Sequence, residues 1–166
     1  KNNKILKKNK VGESICKTPY KFSGYYKKNK VTKKSFWNNF FRTGDLGFLD
    51  DDEYLYYKGR KKELIKSGGI SIYPNDIEQV ISAYDGVKEC AVIPIVNKNL
   101  GEVVATIIVP EKTKSLNVIK LRHFCASNLS DFQQPFYFFY RKKLPKNALG
   151  KVKKNLLIEE YNKKEY

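Results

Sequence analysis

The chain has 166 residues and 41% hydrophobic content, which suits one domain or a small domain joined to part of another. Its net charge of +16 comes from 29 lysines and only 4 arginines against 17 acids, and the first 34 residues hold 12 lysines and a single acid, Glu13. Readers of nucleic-acid sequence favour the forked guanidinium; scarce arginine and no helix-turn-helix, zinc-finger or RNP-type pattern argue against that class, and the lysines read first as a solvated surface.

In chain order, residues 1 to about 34 are basic and turn-rich. Gly12-Glu13-Ser14-Ile15-Cys16 reads as a short strand, Ser23 to Tyr26 as a turn, and Lys27 to Lys34 as a mobile loop. Thr43-Gly44-Asp45 is a turn signal. Leu46–Leu49 and Tyr54–Lys58 flank four acids, a hairpin pattern. Glu63–Lys66 and Ile70–Tyr73 flank Ser67-Gly68-Gly69, a second hairpin. Pro74-Asn75-Asp76 opens a helix, with proline in the first turn and acid at its positive end. Ile77, Val80, Ile81 and Tyr84 give it one apolar face. Val87–Val96 and Val103–Val109 are β-branched runs that read as adjacent antiparallel strands. Leu116–Leu129 predicts a second helix, Phe136–Tyr140 an aromatic strand, and Lys151–Glu160 a short terminal helix.

The fold class expected is α+β: a small carboxy-terminal domain with a three-stranded sheet, a β-hairpin and flanking helices, preceded by short strands. The boundary falls at residues 60/61.

Three cysteines, Cys16, Cys90 and Cys125, are far apart and show no metal-ligand spacing; they fit reduced thiols. His123, the single histidine, reads as a surface or packing residue. No metal site is expected. No apolar run reaches the ~18 residues of a membrane-spanning helix.

Three lysine- or acid-bearing segments carry the chemistry. Pro145-Lys146-Asn147-Ala148-Leu149-Gly150-Lys151 can extend a lysine toward an oxyanion, with glycine easing the turn. It lacks the P-loop spacing, and alone it reads first as an ordinary solvated hairpin. Arg42-Thr43-Gly44-Asp45 places a carboxylate at a turn, where it can accept ribose hydroxyls or simply form the turn. Gly59-Arg60-Lys61-Lys62-Glu63-Leu64-Ile65-Lys66 puts an arginine between two hairpins, where it contacts phosphate or ribose or is a charged linker.

Together, in this order and spacing, and with Gly12-Glu13, Gly24-Tyr25, Ser67-Gly68-Gly69, Ile72-Tyr73-Pro74, Asp76-Ile77-Glu78 and Gly101-Glu102, these segments resemble the adenylate-forming (AMP-binding) superfamily over residues 12 to about 157. The Ser-Gly-Gly-x-x-Ile-Tyr-Pro and Asp-Ile-Glu runs look most like acyl-CoA synthetases. The resemblance implies that residues 1–60 are the end of an amino-terminal AMP-binding domain and residues 61–166 the mobile carboxy-terminal domain. It implies roles for Asp45, Arg60 and Lys66 at ATP or AMP, Lys62 as hinge, Gly68 and Gly69 along the CoA path, and Lys151 as the catalytic lysine of adenylation. Gly101-Glu102 looks structural.

The implied partners are a small carboxylic acid, ATP with Mg²⁺, CoA and the rest of the amino-terminal domain, in a reducing cytoplasmic or organellar compartment and not secreted. No specific nucleic acid and no transmembrane segment are implied, and peripheral membrane contact is left open. Asn147 and Leu149 stand where the family usually carries hydroxyl residues; they bear on the rigidity of the loop more than on the role of Lys151. The family's phosphate loop, adenine-binding strand and acyl pocket have no counterpart in these residues, so the chain alone is expected not to make acyl-AMP. Rival readings are an adenylation domain that loads a carrier-protein thiol, and a basic module for nucleic acid or anionic membrane. Residues 1–58 are expected to leave strand edges unpaired, and folding from residue 61 onward is expected not to depend on them.

Overall fold

The computed structural model, which describes residues 4–111 and 116–163, has nine strands in two sheets among those residues; β-branched runs mark the longest pair, and aromatic or mixed segments supply others. The chain divides into two units between Lys62 and Glu63.

The first unit is built around β3 (Phe40–Leu49). One edge of β3 pairs antiparallel with β1 (Gly12–Cys16), and the other pairs with β2 (Phe36–Trp37) and then with β4 (Leu55–Arg60). The expected strand and hairpin are therefore present, and these strands find partners within the unit. The β3–β4 register shifts at Leu46/Gly47. A Cβ at Gly47 would lie 2.5 Å from the Tyr56 carbonyl oxygen, so only glycine fits there. The segment read as a mobile loop is instead a helix over its second part, α1 (Asn29–Lys34). It buries no residue, and Thr32 Oγ1 bonds back to the Lys28 carbonyl (3.1 Å) and accepts from Tyr25 N (2.9 Å). A helix with no apolar stripe leaves no periodic signal in sequence. Leu46 is the only buried hydrophobic residue among the described residues of this unit; Tyr54, Leu55, Tyr56 and Tyr57 are exposed.

The second unit has a core on both faces of its sheet. β7 (Val87–Asn97) and β8 (Gly101–Pro110) form a long antiparallel pair, and β9 (Tyr137–Tyr140) runs parallel to β8 along its other edge. The hairpin β5 (Ile65–Ser67) and β6 (Ile70–Ile72) joins that same edge through Ser67 and Gly101. On one face Val92, Val104 and Ile108 pack with Ile65 and Ile72 of the hairpin, Ile77 and Ile81 of α2 (Pro74–Ser82), and Leu121 and Cys125 of α3 (Val118–Asn128). On the other, Ala91, Ile93, Ala105 and Ile107 meet Leu144 and Leu157 and Tyr161 of α4 (Lys154–Asn162). Covering both faces explains why β7 and β8 read as nearly continuous apolar runs. In this core Thr106 is fully buried with no partner for its hydroxyl.

Candidate functional site

In the first unit, Asp45 on β3 and Arg60 at the end of β4 are cross-strand partners. Arg60 Nε lies 2.8 Å from Asp45 Oδ1, and its Nη1 donates to the Thr43 carbonyl at 2.9 Å. Thr43 Oγ1 donates to the Ser14 carbonyl (2.7 Å) and accepts from Asp45 N (3.0 Å). Thr43-Gly44-Asp45, read as a turn from the sequence, instead runs within β3, with Gly44 at a positive φ of 74°; one guanidinium thus holds both the carboxylate and the strand backbone that presents it, a task suited to its planar fork. Asp45 and Arg60 remain 30% and 38% exposed, so the carboxylate's other lone pairs are open to a ligand.

Glu13 has no role assigned to it from sequence. Its Oε2 accepts from Arg42 Nη1 at 3.1 Å and Lys61 Nζ at 2.8 Å. Burial pushes its carboxyl up, but the bonds and charges of Lys61 and Arg42 together outweigh that and hold it below the usual range. Its neighbours in sequence give no hint, because Arg42 and Lys61 reach it only through strand pairing. Lys62, the last residue of the first unit, is exposed and lies in a single 3₁₀ turn, Lys61–Glu63.

In the second unit, Lys66, Gly68 and Gly69 share one hairpin. Gly68 and Gly69 have φ of 53° and 84°, both positive, as a two-residue type I′ turn requires. The tip is tied by Gly68 N to the Leu100 carbonyl (2.9 Å), and the Lys66 amide donates to Glu102 Oε2 (2.7 Å). Glu102 is therefore a fastening for the hairpin, and the Lys66 side chain is left exposed. A Cβ at Gly69 would meet nothing within 4 Å.

Lys151 lies apart from that hairpin in sequence, on a loop closed by the Lys146–Val152 bridge. Asn147 organises it: its Oδ1 accepts from Leu149 N at 3.0 Å and Lys151 N at 2.9 Å. The departure from the family's usual hydroxyl thus brings its own acceptor. Two nearby lysines are tied down, Lys146 to Glu89 at 2.9 Å and Lys154 to Glu78 at 2.6 Å. Glu78 Oε1 also accepts from Val92 N at 2.7 Å, joining α2, β7 and α4. Lys151 has no acidic partner among the described residues.

Other candidates fall away. His123 is exposed on α3. All three cysteines are free; burial pushes the Cys90 and Cys125 thiols up to about 11, which makes them poor nucleophiles. Among the described residues no group of three metal-ligating side chains exists, and no helix is long and apolar enough to cross a membrane.

Residues 76–151 match the family described as AMP-binding enzyme C-terminal domain. The chain is 41% identical over 91% of its length to a 2-succinylbenzoate–CoA ligase of Listeria monocytogenes, and 34% identical over 95% of its length to the long-chain-fatty-acid–CoA ligase FadD13 of Mycobacterium tuberculosis. It spans 32% and 31% of those two proteins. Among solved structures it is similar to ATP-bound MatB from Rhodopseudomonas palustris, with a TM-score of 0.90 and 35% identity over 95% of this chain and 31% of that one. The chain belongs to the adenylate-forming superfamily and corresponds to its carboxy-terminal region.

Proposed function

We propose that this chain is the carboxy-terminal part of an ATP-dependent, AMP-forming acyl-CoA synthetase. A carboxylate oxygen attacks the α-phosphorus of ATP, pyrophosphate leaves, and the acyl-AMP formed is then attacked at its carbonyl by the CoA thiolate, releasing AMP. The observation that carries this reading is the Lys151 loop, in which Lys146 and Lys154 are bound to carboxylates while Lys151, exposed at the turn, has no acidic partner among the described residues. An ammonium on a turn held by backbone and side-chain bonds stabilises charge that develops on phosphate oxygens.

Asp45, oriented by Arg60, accepts hydrogen bonds from the ribose hydroxyls; Lys66 adds a cation for the adenylate. Lys62 serves as the hinge between domains, and rotation there exchanges the Lys151 face for the Gly68–Gly69 face at the reacting centre. With no side chain at the turn, that hairpin admits the pantetheine arm of CoA. Mg²⁺ accompanies ATP in such chemistry, but the described residues offer no ligand set for it, and no step here is assigned to it. Because the chain spans about a third of its relatives' length, the chain alone does not make acyl-AMP. Relatives acting on both succinylbenzoate and long-chain acids leave the acid to be identified.

The test is AMP release by the intact ligase carrying this chain, with ATP, Mg²⁺ and a panel of carboxylic acids, with and without CoA. CoA-dependent release with a thioester product is the expected result. Release indifferent to CoA transfers the reading to a carrier-protein thiol, and no turnover with any acid overturns it.

A further inference from the structure

The Lys151 loop has no apolar anchor at its tip: Leu149 is 92% exposed, and only Leu144, at the start of the segment, is buried. An exposed tip of this kind samples many conformations unless hydrogen bonds select one. The bonds present converge on Asn147. Its amide donates to the Lys151 carbonyl (2.9 Å), its own carbonyl accepts from Gly150 N (3.0 Å), and its side-chain oxygen accepts from Leu149 N and Lys151 N. Both backbone groups of Lys151 are therefore tied to residue 147. Below the tip, Lys153 N bonds the Pro145 carbonyl at 2.8 Å, and the Lys146–Glu89 and Lys154–Glu78 pairs fasten the two feet of the loop to β7 and α2.

From this arrangement we infer that Asn147 is the positioning residue for Lys151: it touches no substrate and acts by holding the lysine backbone in the one geometry that presents the ammonium. The inference rests on the adenylation role proposed for Lys151. Losing both side-chain bonds lowers the population of that local geometry roughly tenfold. The defect is confined to the step that uses Lys151. A residue needed only for folding would instead slow both half-reactions and lower Tm.

The experiment compares Asn147→Ala, Asn147→Ser and Lys151→Ala in the intact ligase. Adenylation is read by pyrophosphate exchange into ATP, and thioester formation is read from preformed acyl-AMP and CoA. Asn147→Ala is expected to slow exchange about tenfold with unchanged thioester formation and Tm. Asn147→Ser, which keeps an oxygen able to accept from the amide two residues on, recovers part of the loss. In the 166-residue chain, whose second unit has its own two-sided core, hydrogen exchange at the Leu149 and Lys151 amides is expected to speed up by a similar factor in Asn147→Ala.

Unchanged amide protection, or normal adenylation by Asn147→Ala where Lys151→Ala is inactive, overturns the inference and leaves the role of Lys151 standing. Equal slowing of both half-reactions overturns it in favour of a folding role. Normal adenylation by Lys151→Ala overturns the underlying reading itself.

Discussion

Arg60 Nε sits 2.8 Å from Asp45 Oδ1 across the β3–β4 ladder, and the same guanidinium caps the Thr43 carbonyl. The pair is part-exposed, so its own contribution to stability is no more than about 1 kcal/mol. Its value lies in fixing the direction of the carboxylate. Asp45→Asn in the intact ligase is expected to raise KM for ATP about tenfold with little change in Tm, because an amide accepts on one atom only. Arg60→Lys, which cannot span both partners, is expected to give a smaller rise of the same kind. Steady-state kinetics with ATP varied decides it, and an unchanged KM in Asp45→Asn removes this residue from the nucleotide site.

The two units differ sharply in apolar burial. Among described residues the first buries one hydrophobic side chain, Leu46, while the second buries two clusters on opposite sheet faces. Trp37, the single tryptophan, lies in the first. In a guanidinium titration of the 166-residue chain, Trp37 fluorescence is expected to change at lower denaturant than the far-UV signal of α2, α3 and α4. Coincident transitions contradict this.

Glu13 makes the first unit sensitive to acid. Its folded carboxyl is held below the ordinary range by Lys61 and Arg42 despite opposing burial. A depressed acid contributes stability that is present above the unfolded pKa, near 4.3, and is lost as pH falls through the lower folded value. Trp37 fluorescence should therefore report unfolding in that acid window, below about pH 4.3. Glu13→Gln removes this pH dependence and makes the unit less stable at neutral pH. A variant with the wild-type acid profile shows that the pair does not govern it.

Thr106 carries a fully buried hydroxyl with no partner, between Val104 and Ile108 on the α2–α3 face of β8. Thr106→Val keeps the shape and discards the unpaired group, so it is expected to stabilise the second unit by about 1 kcal/mol. Chemical denaturation followed by far-UV signal measures this, and a destabilised variant means that the hydroxyl is satisfied in solution.

The strands β7 and β8, the two hairpins and α2 were legible because their signals are local: β-branched runs, acids or paired glycines at turns, and Pro74 before one apolar stripe. Three features had no local signal. α1 lies on the surface and has no buried face to set a period. That β9 pairs parallel with β8, on the edge shared with the hairpin, depends on the return path of the chain rather than on its aromatic residues. The Glu13 hub joins residues 29 and 48 positions apart. Of the proposed site, the motif residues were visible in sequence, but what holds them was not. Glu102 read only as part of a turn and Asn147 as a departure, whereas the structure gives each a side-chain bond to the backbone amide of a motif lysine, Lys66 or Lys151.

Gly47 and Gly69 are retained for opposite reasons. At Gly47 the obstacle is volume: a Cβ collides with the Tyr56 carbonyl oxygen at 2.5 Å. At Gly69 it is handedness: φ is 84°, yet a side chain would enter open space. Any residue at 47 must push two strands apart, whereas an L-residue at 69 is penalised only by torsion, least for asparagine. The β3–β4 ladder therefore accepts no substitute at its bulge. The hairpin tip is open to graded replacement, a dial for the space above it that leaves the sheet beneath untouched.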